Sequence, residues 1–245
     1  MKPLFGNSKK LSSKKSFVIA IDGPAASGKS TAAYLLAKKL GFTYMDTGAM
    51  YRALTWKALN NHIDPKNDVS LSRMAETTRI DISSKEYLPG VAVYVDGKEV
   101  SSLIRTPEIN KWVSVVARVP GVRVAMVKLQ RDIASEKSVV AEGRDIGTVV
   151  FPQADVKIFL VASLEERTRR RFKELQEKGI FCKEKDIREE LQLRDKLDSE
   201  REVAPLKKAP DAFLVDNTHL DINQTVEKLL NIVKLKIKKL KTSNQ

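Results

Sequence analysis

Gly23-Pro24-Ala25-Ala26-Ser27-Gly28-Lys29-Ser30 is the stretch whose reading decides the fold. It fits the pattern G-x-x-x-x-G-K-[ST], in which glycines let backbone N–H groups converge on phosphate oxygens and the lysine reaches the β and γ oxygens. Its flanks agree with that reading. Residues 17–22 are a short apolar run ending in Asp22, as a buried strand does before a turn, and residues 30–40 are rich in Ala, Leu and Lys and stop at Gly41. Strand, glycine loop and helix in this order place the loop at a helix N-terminus, which adds positive potential. Residues 23–31 are therefore expected to bind a nucleoside triphosphate. Gly23, Pro24, Ala25, Ala26, Ser27 and Gly28 form the cradle, Lys29 compensates charge, Ser30 ligates Mg²⁺, and Thr31 adds a hydroxyl contact to the α-phosphate.

Working outward, apolar segments at 43–46, 138–141, 156–161 and 212–215 read as further buried strands, separated by chain long enough for crossovers. Five such strands with intervening helices predict an α/β fold with a parallel sheet covered on both faces. A helix is expected over 47–60, ending near Pro65. Residues 79–100 break the rhythm: Val91, Val93 and Val95 alternate with Ala92 and Tyr94, and Asp96-Gly97 is a type I′ hairpin signal. A small antiparallel insert follows from that. Pro107 and Pro120 mark the starts of helices over 107–117 and 121–136. Two charged helices, 164–178 and 185–198, flank Gly179 and read as a flap.

The formal charge is +13, but residues 1–16 carry five lysines and residues 228–245 six, with no acid in either, so the body over 17–227 is only +2. Basic tails without an aromatic-rich groove do not indicate an obligate nucleic-acid partner. Apolar runs such as 17–21 and 158–162 stop at five residues, against the ~20 that span a bilayer. No export signal is expected, and the single cysteine, Cys182, suits a reducing cytoplasm. The base-reading motif N-K-x-D of guanine binders is missing at Asn110-Lys111, which is followed by Trp112 and Val113. That counts against a GTPase. A kinase whose acceptor already bears a phosphate must neutralise it, and arginine's fixed fork suits the task. Arg52 follows the second strand, Arg144 and Asp145 follow the third between Gly143 and Gly147, and Arg167, Arg169, Arg170, Arg171, Arg194 and Arg201 lie on the flap.

Taken together, residues 22–31, 46–52, 143–152 and 194–206 resemble the motifs of the bacterial-type cytidylate kinases, over roughly residues 16–230. The resemblance implies a P-loop core at 16–46, 124–166 and 206–235, with a monophosphate-binding domain at 47–123 carrying the antiparallel insert. A helical lid over 167–205 and basic tails at 1–15 and 236–245 complete the expected organisation. It implies MgATP-dependent phosphorylation of CMP and dCMP by a cytoplasmic monomer without membrane attachment. Arg52, Arg144 and Arg201 would hold the acceptor phosphate, with Thr47 beside them. Ser114, Arg123 and Asp145 would face the cytosine edge, and Asp198 the sugar. Lys29, Arg144, Arg167, Arg170 and Arg194 would act on the transferring phosphoryl group, and Asp216-Asn217-Thr218 would pack near the ATP base. One departure lies inside the motifs: Glu142 stands where many relatives have Asp.

Overall fold

β1 (Val18–Asp22) lies at the centre of a five-stranded sheet because its residues are apolar on both faces, with Ile19, Ala20 and Ile21 fully buried. In this computed structural model, residues 16–84 and 91–242 are described. The other strands of the sheet are β2 (Thr43–Asp46), β6 (Val139–Gly143), β7 (Val156–Val161) and β8 (Phe213–Asp216), in the order β2-β6-β1-β7-β8. Every pairing is parallel. The expected α/β class holds, and the strands fall within two residues of their predicted bounds.

The ends of β1, β2 and β6 come together at one edge, with Asp22 paired to Gly143 and Asp46 to Glu142. Open parallel sheets bind ligands at such carboxyl ends. α1 (Lys29–Leu40) leaves β1 through the glycine loop and closes at Gly41, and α2 (Thr47–Asn60) leaves β2 directly, with the Asp46 side chain capping the Ala49 N–H. The insert contains α3 (Asp68–Thr77) and a small antiparallel sheet of β3 (Ile80–Ser84), β4 (Val91–Val95) and β5 (Lys98–Glu99). Asp96 and Gly97 both adopt positive φ, 51° and 84°, as a type I′ turn requires. α4 (Pro107–Val116) and α5 (Pro120–Glu136) start at their prolines, and α6 (Leu164–Glu177) and α7 (Glu184–Glu200) form the charged pair. That pair packs on the glycine loop, where Ile187 and Leu191 of α7 bury Ala25.

Two features depart from the sequence reading. α3 was not expected; it is capped by Asn67 and buries only Leu71, Met74 and Ala75, too few apolar positions for a clear period. Residues 236–245, expected as a basic tail, continue α8 (Ile222–Thr242) as far as Thr242. The lysines mask an amphipathic helix whose Val226, Leu229, Leu230 and Val233 are buried in the core. The expected tail at 1–15 lies outside the described residues. Among the described residues, no helix is long and apolar enough to cross a membrane.

Candidate active site

Two glycines set the backbone of the site. Gly28, the N-cap of α1, sits at φ 84°, and Gly143, at the end of β6, has no room for a side chain, since a Cβ there would lie 2.7 Å from both Thr47 Oγ1 and Ile146 Cδ1. Lys29 is 5% exposed and its ammonium donates to the Pro24 carbonyl at 3.0 Å. Burial, with the charge of Arg144, lowers its pKa, while the facing Glu142 works in the opposite direction. Burial, reinforced by Asp46, raises the Glu142 carboxyl in turn. Ser30 donates its hydroxyl to Glu142 Oε1 at 2.8 Å, and Thr47 donates to the Glu142 carbonyl at 2.7 Å. Ser30 and Thr31 are both exposed towards a cleft of about 1150 Å³ that the loop shares with Arg52, Arg144, Arg170 and Arg194.

Around Asp145, arginines and carboxylates alternate. Asp145 is 6% exposed and pairs with the Arg123 guanidinium, while Arg201 Nη2 lies 3.3 Å from its other oxygen. Arg123 in turn sits 5.9 Å above the ring of Tyr51, whose hydroxyl is pushed up to about 12 by burial. Arg144 Nε donates to Asp198 Oδ2 at 2.6 Å. Burial would favour the neutral forms of both, but each partner's charge outweighs it, so the arginine is raised and the aspartate lowered. Arg52 reaches Asn110 and, at 3.5 Å, the Ile104 carbonyl; burial lowers its pKa to about 10. Ser114 is half-buried on α4, and no described hydrogen bond ties it to the Asp145 cluster.

The flap arginines divide into two kinds. Arg167, expected near the transferring group, instead donates to the Ala162 carbonyl at 3.0 Å and the Ala25 carbonyl at 3.2 Å, and pairs with Asp195 at 2.6 Å. Arg170 donates to the Asn217 carbonyl at 2.8 Å and the Ser27 carbonyl at 3.3 Å. Arg194 is free of such ties at one atom: its Nε is buried with no hydrogen-bond partner among the described residues. Asn217, expected near the ATP base, bridges Arg170 to the Ser27 carbonyl through its Nδ2 at 3.0 Å. Three residues without an assigned role in the sequence reading also contribute: Arg105 pairs with Asp46 at 3.3 Å, Asp22 binds two backbone N–H groups, and Tyr51 backs Arg123. Only the long-range pairing identifies them, and no local pattern signals it.

A glycine loop facing a second cluster of buried and half-buried arginines has room and charge for two phosphorylated ligands, as a kinase acting on a phosphorylated acceptor needs. The family model described as Cytidylate kinase matches residues 19–235. The cytidylate kinase of Bacillus cereus (strain ATCC 10987) is 48% identical over 219 residues, covering 89% of this chain and 96% of that protein. That of Bacillus licheniformis is 46% identical over 226 residues, covering 92% and 100%. That of Bacillus thuringiensis (strain Al Hakam) is 48% identical over 219 residues, covering 89% and 96%. The match runs through the glycine loop, the arginine cluster and the flap alike, and on that extent and identity the chain belongs to the cytidylate kinase family.

Proposed function

We propose that the site divides the transfer of a phosphoryl group from ATP to CMP and dCMP between a donor half on the glycine loop and an acceptor half around Asp145. The observation that carries this reading is the Asp145 carboxylate, buried between Arg123 and Arg201 one strand away from the loop. Cytosine presents an amino donor at N4 where uracil presents an oxygen, so a fixed carboxylate attracts one base and repels the other. Ser114 and Arg123 complete the base edge, and Asp198, held by Arg144, faces the sugar. Arg52, Arg144 and Arg201 hold the acceptor phosphate with Thr47 at its edge.

The acceptor's phosphate oxygen attacks the γ-phosphorus in line, the new P–O bond forms as the bond to the β-phosphate oxygen breaks, and CDP and ADP leave. That oxygen is already anionic, so no general base is needed. Lys29, Arg144, Arg170 and Arg194 supply positive charge to the equatorial oxygens, and Arg167 acts from behind by holding the Ala25 carbonyl. Ser30 and Glu142 place a hydroxyl and a carboxylate oxygen 2.8 Å apart beside the loop, a hard-oxygen pair suited to Mg²⁺, which takes few protein ligands and completes its shell with phosphates and water. When bound there, Mg²⁺ would neutralise charge on the β and γ oxygens. α6 and α7 pack on the loop through Ile187 and Leu191, and their closure over bound nucleotide would exclude water that otherwise diverts transfer to hydrolysis. The test is ATP consumption, coupled to ADP detection, against CMP, dCMP, UMP, AMP and GMP. Preference for CMP and dCMP is expected, and equal turnover of UMP or AMP would overturn the acceptor assignment.

A further inference from the structure

Asp22 ends β1 and immediately precedes Gly23 of the loop, yet its carboxylate serves the neighbouring strand. Its Oδ1 accepts the Ile146 N–H and its Oδ2 the Gly147 N–H, each at 2.8 Å. Those two donors open a wide turn, Ile146–Val150, and follow Arg144 and Asp145 directly. A two-oxygen acceptor on consecutive N–H groups fixes both the position and the tilt of the peptide plane between them, as an anion does in a backbone nest. The carboxylate is 3% exposed, and a negative charge beside a triphosphate cradle opposes donor binding. Its two N–H bonds tie it to the turn.

We propose that Asp22 is a positioning residue for base choice: by clamping the Ile146 and Gly147 N–H groups it sets the direction of the Asp145 carboxylate, and so governs preference for cytosine over uracil without touching substrate. Two further observations agree with it. The turn approaches closely, since a Cβ on Gly147 would lie 3.3 Å from Asp22 Oδ2 and 3.2 Å from Lys157 Cδ. The two carboxyls also sense one another: burial pushes Asp22 up to about 6 against its two N–H bonds, and the charge of Asp145 adds to that rise.

The inference rests on Asp145 reading the base, so the experiment separates the two. kcat/KM for CMP and UMP is measured at saturating MgATP in the full chain, in Asp22→Asn, Gly147→Ala, Asp145→Asn and the Asp22→Asn/Asp145→Asn double variant. Asp22→Asn should lower the CMP:UMP ratio at least fivefold, because the amide turns an N–H₂ towards one of the two backbone donors. Gly147→Ala, which crowds the same junction without changing charge, should lower it at least threefold. With Asp145 already replaced, adding Asp22→Asn should change the ratio less than twofold. Equal losses for both nucleotides in Asp22→Asn and Gly147→Ala, or a full effect of Asp22→Asn without Asp145, would overturn the proposal and leave Asp22 as strand-to-turn glue. An unchanged ratio in Asp145→Asn would overturn the base assignment and this inference with it. If Asp22→Asn does not fold, the ratio in Gly147→Ala decides alone.

Discussion

Replacing Lys29 by Met removes one charge and keeps most of the side-chain volume. In the free chain the ammonium makes one hydrogen bond, to Pro24 O at 3.0 Å, in a site where burial already opposes its charge. Losing that bond costs about 1 kcal/mol of stability, and relief from burying an ammonium offsets it, so the melting temperature should move by only a few degrees. The transition state is affected far more. A preorganised donor aimed at developing charge in a water-excluded site contributes about 2.7–4 kcal/mol, which is roughly 10²–10³ in kcat. The assay is coupled ADP formation at saturating CMP and ATP, with a thermal melt on the same preparation. A folded variant that keeps more than about a tenth of wild-type kcat, a barrier change under ~1.4 kcal/mol, would refute the role given to the lysine.

Asn217→Ala breaks the bridge between Ser27 and Arg170, and should raise KM for ATP several-fold while KM for CMP stays within twofold, as read from initial rates with each substrate varied. Removing residues 1–15 and 236–245 should leave both KM values unchanged, whereas Leu229→Ala, fully buried on α8, should lower stability by about 2–5 kcal/mol in urea unfolding. Asp22 adds a pH term. Its pKa is about 6 in the folded chain against an ordinary 3.8, so the folded form keeps a proton that the unfolded form has lost. That contribution is complete below 3.8 and is lost as pH rises to about 6. Asp22→Asn should flatten the fall in stability across this window, by at most about 3 kcal/mol, measured as urea midpoints from pH 4 to 6.5.

The core was legible because its signals are local. The glycine loop, the apolar strands and Pro107 and Pro120 each announce themselves within a few residues. α3 was not legible, since three buried side chains in ten residues leave a polar-looking segment whose clearest signal is the Asn67 cap. α8 was not legible either, because its lysines advertise solvent and hide the 226-229-230-233 spacing that buries it. The cluster around Asp145 lies at the other extreme. Arg123 meets Asp145 across 22 residues and Arg144 meets Asp198 across 54, distances at which sequence pattern carries no pairing; Arg144 and Asp145 stood out between glycines at a strand end, while Arg123 and Asp198 came only from the family resemblance. The wide turn after Asp145 and the grip of Asp22 on it have no sequence signature at all.

Selection of the base by the buried carboxylate of Asp145 is tested by kcat/KM for CMP and UMP in the wild-type chain and in Asp145→Asn at saturating MgATP. An unmatched buried polar contact costs ~1–3 kcal/mol, and the amide can donate to the uracil oxygen, so the CMP:UMP ratio should fall by about tenfold or more. A ratio unchanged within about twofold, less than ~0.5 kcal/mol, would show that Asp145 does not read the base.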